Sequence, residues 1–113
     1  MISSEVFQGV DLKSLRAGSL IEVRTNSRSY RIEFLGGNEI RISGHPDYCP
    51  DPELAQLQGS LDYEGVVERD LIEPGMRLIF VLNNHRPVTT SKVLSVHVEQ
   101  TKAVQTEPNP VIT

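Results

Sequence analysis

Two stretches of the chain repeat one short pattern, and this repeat is the feature that most constrains the fold. Residues 15–23 and 72–80 both read as an apolar residue, two others, glycine, two others, an apolar residue, any residue and an apolar residue. A glycine that leads into a strand, followed by a returning strand, is typical of small antiparallel sheets. Ser27 and Ser91, each followed by a basic residue, align as the openings of the two returning strands. The repeat therefore predicts two hairpins of one all-β domain.

Alternation of polar and apolar residues predicts the remaining strands. Tyr30, Ile32 and Phe34 alternate with charged residues, as expected of strands with one face towards water. Residues 53–60 fit a short helix or a strand, and we favour the strand because the edge of the first three strands needs a partner. In the last strand, either Val93, or Leu94 and Val96, face the core. The predicted strands are 19–25, 28–35, 39–43, 53–60, 76–82 and 88–98.

These patterns predict an all-β fold, a small antiparallel β-barrel or roll of about six strands, with a proline-rich loop and a disordered C-terminal tail. The length of 113 residues suits one domain. The single Cys49 excludes an internal disulfide. We expect a cytoplasmic protein with no membrane association, because no basic start or long apolar run is present. The predicted parts are a loose N-terminal segment at 1–13, the barrel domain at 14–98 and the disordered tail at 99–113.

Side chains that carry chemistry crowd into the proline-rich loop, residues 44–52. His45, Asp47 and Tyr48 offer an imidazole, a carboxylate and a phenol within four residues, a mixture that recognition sites favour. His85 comes close if its turn lies at the same end of the barrel. The alternative is a stiff lid, in which Tyr48 and Cys49 seal the core. Both interpretations stay open at this point.

The same loop also contains residue types used by metals and by nucleophilic catalysis. His45, Asp47, Cys49 and His85 are metal-ligand types, and Cys49 beside a histidine is the arrangement of a thiolate–imidazole pair. The neighbouring prolines oppose the helical spacing that would place His45 and Cys49 on one face. We therefore predict no metal site, no cofactor and no enzymatic activity.

The charges of the chain are segregated along the sequence. Residues 13–41 hold six basic and three acidic side chains, whereas 47–73 hold eight acidic side chains and one arginine. Arg28, Arg31 and Arg41 are candidates for a basic face that meets an anionic partner. The alternative is that the two halves of the chain compensate each other. Aromatic platforms interleaved with these bases are missing, which argues against recognition of single-stranded nucleic acid.

Short motifs along the middle of the chain resemble those of small uncharacterised bacterial proteins. The resemblance implies a compact β fold without an assigned activity. Together with the residues above, it leads us to expect a non-catalytic binding or regulatory module that recognises another protein or a second copy of itself. The alternative is binding of an anionic ligand or nucleic acid through the arginines of the first three strands. The motifs are Ser43-Gly44-His45-Pro46, Cys49-Pro50, Gly59-Ser60, Gly75-Met76 and Thr89-Thr90-Ser91.

Overall fold

The computed structural model describes residues 5–7, 9–83 and 86–99. In this part of the chain it contains ten strands and one short 3-10 turn, Leu12–Ser14. No helix within the described ranges is both long and apolar enough to cross a membrane. The strands are β1 (Glu5–Phe7), β2 (Val10–Asp11), β3 (Leu20–Thr25), β4 (Ser29–Gly36), β5 (Glu39–Ser43), β6 (Glu53–Leu61), β7 (Val67–Arg69), β8 (Leu71–Ile72), β9 (Arg77–Leu82) and β10 (Pro87–Glu99).

Six of these strands form a closed ring, which confirms the predicted barrel. Successive antiparallel pairs join β3 to β4, β5 and β6, then β6 to β9 and β9 to β10. The ring closes because β10 is thirteen residues long. Its first part pairs with β9 and its second part with β3. Closure leaves none of the six strands as a bare edge over its whole length.

The remaining strands attach to this ring. Strand β1 pairs with the second half of β10, β7 pairs with the end of β6, and β2 pairs with β8 in a separate two-stranded sheet. Segment 1–13, expected to be loose, therefore contributes β1, β2 and the fully buried Leu12. Strand β10 ends at Glu99. The rest of the predicted tail, residues 100–113, lies outside the described residues.

The repeated glycine pattern folds into two hydrogen-bonded arches with the same connections. Gly18 N–H donates to the carbonyl of Phe34 at 2.7 Å, and Phe34 N–H donates to Ser19 at 2.9 Å. In the second arch, Gly75 N–H donates to Val93 at 2.8 Å, and Val93 N–H donates to Met76 at 2.7 Å. The glycine halves of the two hairpins are therefore equivalent in structure.

The predicted alignment of the returning strands is wrong. By hydrogen bonding, Phe34 and Val93 are equivalent, so Ser27 and Ser91 do not occupy matching places. They instead touch each other, with Ser91 Oγ donating to Ser27 Oγ at 2.9 Å. Ser27 and Ser91 therefore form a contact between the two hairpins and are not equivalent positions of a repeat.

The core follows the predicted alternation, with one local change. Tyr30, Ile32 and Phe34 are buried, and residues 53–61 form a strand, as favoured from the sequence. In β10 both Val93 and Val96 are buried while Leu94 is exposed. A register shift between Val93 and Ser95 explains this, since a bulge changes the parity of a strand.

Gly59 allows three strands to meet at β6. It lies where β6 pairs with both β7 and β9, beside a register shift, at φ +137°. A Cβ there would collide with the carbonyl oxygen of Glu68 and lie 3.0 Å from the Cα of Arg69. Only glycine therefore fits without displacing β7.

Gly59→Ala should destabilise the protein far more than Gly65→Ala, its matched control. Gly65 also has a positive φ, of +87°, but its Cβ would meet nothing within 4 Å. We expect Gly65→Ala to lower the free energy of unfolding by about 1 kcal/mol, from backbone strain alone. Gly59→Ala adds the collision and should lower it by about 3 kcal/mol or more. Urea unfolding of both variants tests this, and equal losses would contradict the packing of β7 described here.

Candidate functional site

The connections between the barrel strands lie at two opposite ends. Because neighbouring strands are antiparallel, successive connections alternate between the ends. Residues 26–28, 44–52 and the turn after β9 lie at one end, which we call the groove end. Residues 37–38, 62–66 and 73–76 lie at the other, which we call the hairpin end. Most of the sequence-predicted loop residues are thereby brought to the groove end.

Thr25 holds the turn that presents Arg28. The buried Thr25 donates to the Arg28 carbonyl from its backbone N–H and from its hydroxyl, both at 2.8 Å. Its Oγ1 accepts the N–H groups of Ser27 at 3.2 Å and Arg28 at 3.1 Å. The turn is thus closed by its own residues, and the Arg28 side chain is left for the groove. Its Nη1 is buried and has no hydrogen-bond partner among the described residues.

The proline-rich loop forms a tight turn between His45 and Cys49. Cys49 N–H donates to the His45 carbonyl at 3.0 Å, and Gly44 N–H donates to the Cys49 carbonyl at 2.9 Å. The imidazole Nδ1 of His45 accepts the backbone N–H groups of Asp47 at 3.1 Å and Tyr48 at 3.3 Å. An Nδ1 that accepts carries no proton, so neutral His45 has its proton on Nε2 and can donate from there.

Gly44 brings this turn against the start of β4. Its φ is +130°, and a Cβ would collide with the Ser29 carbonyl oxygen and lie 3.0 Å from the Cα of Tyr30. The close approach of the two backbones places His45 near the turn that carries Arg28. A side chain at position 44 would force the two elements apart.

Tyr48 and Cys49 face opposite ways. Cys49 fits the interpretation of the loop as a lid over the core, and Tyr48 fits its interpretation as a recognition surface. Cys49 is fully buried in the core, as expected of a lid. Tyr48 is 39% exposed and stacks on His45, with ring centroids 4.3 Å apart and an interplanar angle of 27°. The guanidinium carbon of Arg86 lies 5.1 Å from the Tyr48 ring centre, within cation–π range. The loop seals the core on its inner side and presents a ring stack outside.

These elements and the first half of β10 enclose a groove of about 330 Å³, which we call the Arg28 groove. Its described lining combines one guanidinium, one imidazole, two phenols and several hydroxyls, and it contains no carboxylate. The Thr90 hydroxyl is already engaged within the fold. Its Oγ1 accepts the N–H of Leu78 at 3.0 Å, where β9 pairs with β10. The lining residues are Ser27, Arg28, Tyr30, His45, Tyr48, Pro87, Val88, Thr89, Thr90 and Ser91.

The electrostatics make Arg28 the cation of this groove. Burial lowers the pKa of His45, the positive charge of Arg28 lowers it further, and Asp47 acts in the opposite direction. Burial raises the pKa of Tyr30, against the opposing effect of Arg28. Burial also raises the pKa of the Cys49 thiol, opposed by its hydrogen bond to the His45 backbone. The imidazole is therefore held neutral near pH 7, beside a permanent positive charge.

The other two predicted arginines lie in a different place. Arg31 and Arg41 line a groove of about 320 Å³ together with Glu22, Glu33 and Glu99. Arg41 Nη1 is 2.8 Å from Glu33 Oε1. The second groove thus holds three glutamates against its two arginines, so Arg28, Arg31 and Arg41 do not form one basic face.

Asp47, a further predicted site residue, is exposed on the same loop as His45 and does not line the Arg28 groove. His85 lies outside the described residues. Sequence reasoning missed the wall supplied by Thr89 and Ser91 on β10. The hydroxyl run at 89–91 was the available signal, but its distance along the chain from Arg28 hid the contact. Within the described ranges, no cluster of three or more histidine, cysteine or acidic side chains is arranged to hold a metal ion.

The chain matches no protein-family model, no curated protein and no solved structure. No function can therefore be carried over from a relative. The residues that line the two grooves are the basis from which function has to be inferred.

Acid should destabilise the wild-type protein more than a His45→Asn variant. The pKa of His45 is lower in the folded state, so the folded protein binds this proton less tightly than the unfolded chain. The contribution of His45 is then complete above its unfolded pKa, about 6.5, and is lost as the pH falls below that value. Asparagine can accept the same backbone N–H groups and does not titrate.

The measurement is the urea midpoint of both proteins at a series of pH values from neutral to mildly acidic. We expect the difference between their midpoints to shift in favour of the variant as the pH falls. Parallel pH profiles would show that His45 has the same pKa in the folded protein as in the unfolded chain.

Proposed function

We propose that this protein is a non-catalytic binding module that recognises an anionic group, a carboxylate or a phosphate, in the Arg28 groove. The observation that carries the proposal is the buried Arg28 Nη1, which has no hydrogen-bond partner among the described residues. Leaving a charged donor buried without a partner costs several times a typical hydrogen bond. An anionic oxygen in the groove would satisfy it through a short charge-assisted bond once the guanidinium turns this nitrogen towards the groove.

The rest of the lining supports an anion over a cation. The imidazole of His45 donates from Nε2 in its neutral form, and Thr89 and Ser27 add hydroxyls. No described side chain of the groove carries a negative charge. Every group there can donate or is neutral, so an anion meets donors and a cation meets repulsion from Arg28.

The size and isolation of the groove favour a single anionic group over a nucleic-acid strand. Its volume of about 330 Å³ lies at the small end of ligand pockets. A strand needs a basic track with aromatic platforms. Arg31 and Arg41 lie in the second groove, and the accessible Tyr48 ring is already stacked on His45.

Binding without catalysis agrees with the state of the reactive side chains. The Cys49 thiol is fully buried with a raised pKa, which disfavours the nucleophilic thiolate. His45 Nδ1 is engaged by two backbone N–H groups and is not available as a base. Ser60 is buried, and its Oγ donates to the Leu71 carbonyl at 2.7 Å. A protein partner that supplies the anionic group, and a cytoplasmic location, stay predictions from the sequence.

Arg28→Met should weaken anion binding without weakening the fold. Methionine keeps an unbranched apolar stem and removes the charge, while the Thr25 bonds to the backbone of residue 28 remain. Because a buried unsatisfied donor disappears, we expect the urea midpoint to stay equal or rise. Binding of inorganic phosphate and of acetate, followed by NMR shifts of residues 27 and 89–91, should weaken at least tenfold, which corresponds to about 1.4 kcal/mol.

Arg31→Met is the matched control, since it removes an arginine of the second groove. It should bind both anions like the wild type at equal ionic strength. If Arg28→Met binds them as well as the wild type does, the guanidinium is satisfied by water and the groove is not an anion site.

A further inference from the structure

The hairpin between β6 and β7 carries an exposed apolar tip. Residues 62–67, which we call the hairpin tip, include Tyr63, which is 96% exposed, and Val66, which is 50% exposed. Val67, at the start of β7, is exposed as well. A nearly bare tyrosine beside two exposed valines is the composition of a protein contact, because tyrosine is enriched in the centres of interfaces.

The tip is held rigid by Asp62. Its Oδ1 accepts the backbone N–H groups of Glu64 at 2.8 Å and Val66 at 2.9 Å. The Asp62 backbone adds two bonds, donating to the Val66 carbonyl at 2.9 Å and accepting from Gly65 N–H at 3.0 Å. A preformed turn loses little conformational freedom when it binds, so even a small contact can be productive.

The charge of the tip selects its partner. The tip contains Asp62 and Glu64 and no basic residue, and the exposed Glu68 follows it. Asp62 is engaged in the turn, whereas the Glu64 side chain is exposed next to Tyr63. The tip therefore offers one free carboxylate with an aromatic ring beside it, and its partner must supply a cation and a surface for a ring.

The Arg28 groove has these complementary features. It offers the guanidinium of Arg28, whose Nη1 has no partner among the described residues, and the exposed side chains of Tyr48 and Pro87 at its rim. The groove and the tip lie at opposite ends of the barrel, so the tip of one molecule cannot reach its own groove.

We propose that the hairpin tip of one copy binds in the Arg28 groove of a second copy, head to tail. Glu64 pairs with Arg28, and Tyr63 packs against the exposed Tyr48 and Pro87 at the rim of the groove. This inference rests on the proposed anion site and names its ligand. Since the two contacting surfaces differ, the contact is heterologous and leaves a free tip and a free groove at the ends of each assembly.

Mixing two disabled variants tests the contact directly. Arg28→Met keeps the tip and loses the groove, and Glu64→Lys keeps the groove and loses the tip. By sedimentation velocity at concentrations up to about 1 mM, where weak contacts are populated, the wild type should show a mass that rises with concentration. Each variant alone should stay monomeric. An equimolar mixture should form dimers and nothing larger, because only one tip and one matching groove remain functional.

Glu39→Lys is the control, because it makes the same charge change at the hairpin end but outside the tip. It should associate like the wild type. Self-association of either single variant at the wild-type level, or a mixture that stays monomeric, overturns the proposal. Phosphate binding to dilute wild-type monomer distinguishes the proposed anion site from the proposed binding of the hairpin tip. If phosphate binds and the mixture stays monomeric, the anion site holds and its ligand is not the tip; if neither occurs, both fail.

Discussion

The backbone pairing of β10 with both β9 and β3 is the interaction on which the rest of the molecule depends. It turns an open meander into a ring, and it buries one face of each of the six ring strands in a common interior. The closure requires β10 to change register twice, near Thr90 and near Leu94. At the first shift the Thr90 hydroxyl accepts the N–H of Leu78 and replaces a ladder bond. The ring therefore closes without leaving that buried donor unpaired.

Ring closure also determines what lies at each end of the barrel. It brings the turn that carries Arg28, the His45 loop and the start of β10 to one end, because alternate connections of a meander share an end. Gly44 then lets two backbones approach closely enough for His45 to stand over the same space as Arg28. The groove is a consequence of how the barrel closes, and no single segment contains it.

The proposed anion site and the proposed self-association depend on the same feature, an arginine whose Nη1 has no partner among the described residues. An arginine paired within the fold, as Arg41 is with Glu33, offers little to a ligand. Arg28 differs because no described carboxylate lines its groove. The exposed hairpin tip at the other end carries acidic side chains and no basic one. Because the positive groove and the negative tip lie at opposite ends of the barrel, they can pair between two copies and not within one.

Local periodicity was enough to predict the six ring strands, most of their inward faces and the barrel class. Alternation of Tyr30, Ile32 and Phe34 with charged residues is a property of neighbouring positions, and the structure buries all three. The same rule could not decide between Val93 and Leu94, because a bulge changes parity and depends on the partner strands. The sequence also missed β1, β2, β7 and β8, since strands of two or three residues carry almost no periodic signal.

For the candidate site too, the residue types could be predicted from the sequence, and their grouping in space could not. The amino-acid sequence by itself determined that His45, Tyr48 and the arginines of the first strands were the residues to examine, because those types carry charge or bind polar groups. The tertiary structure alone decided that Arg28 belongs with His45 while Arg31 and Arg41 belong elsewhere, and that Ser91 meets Ser27 from 64 positions away. Side-chain types are local properties of a chain. Which of them meet depends on strand pairing across the whole barrel, and no local pattern records that.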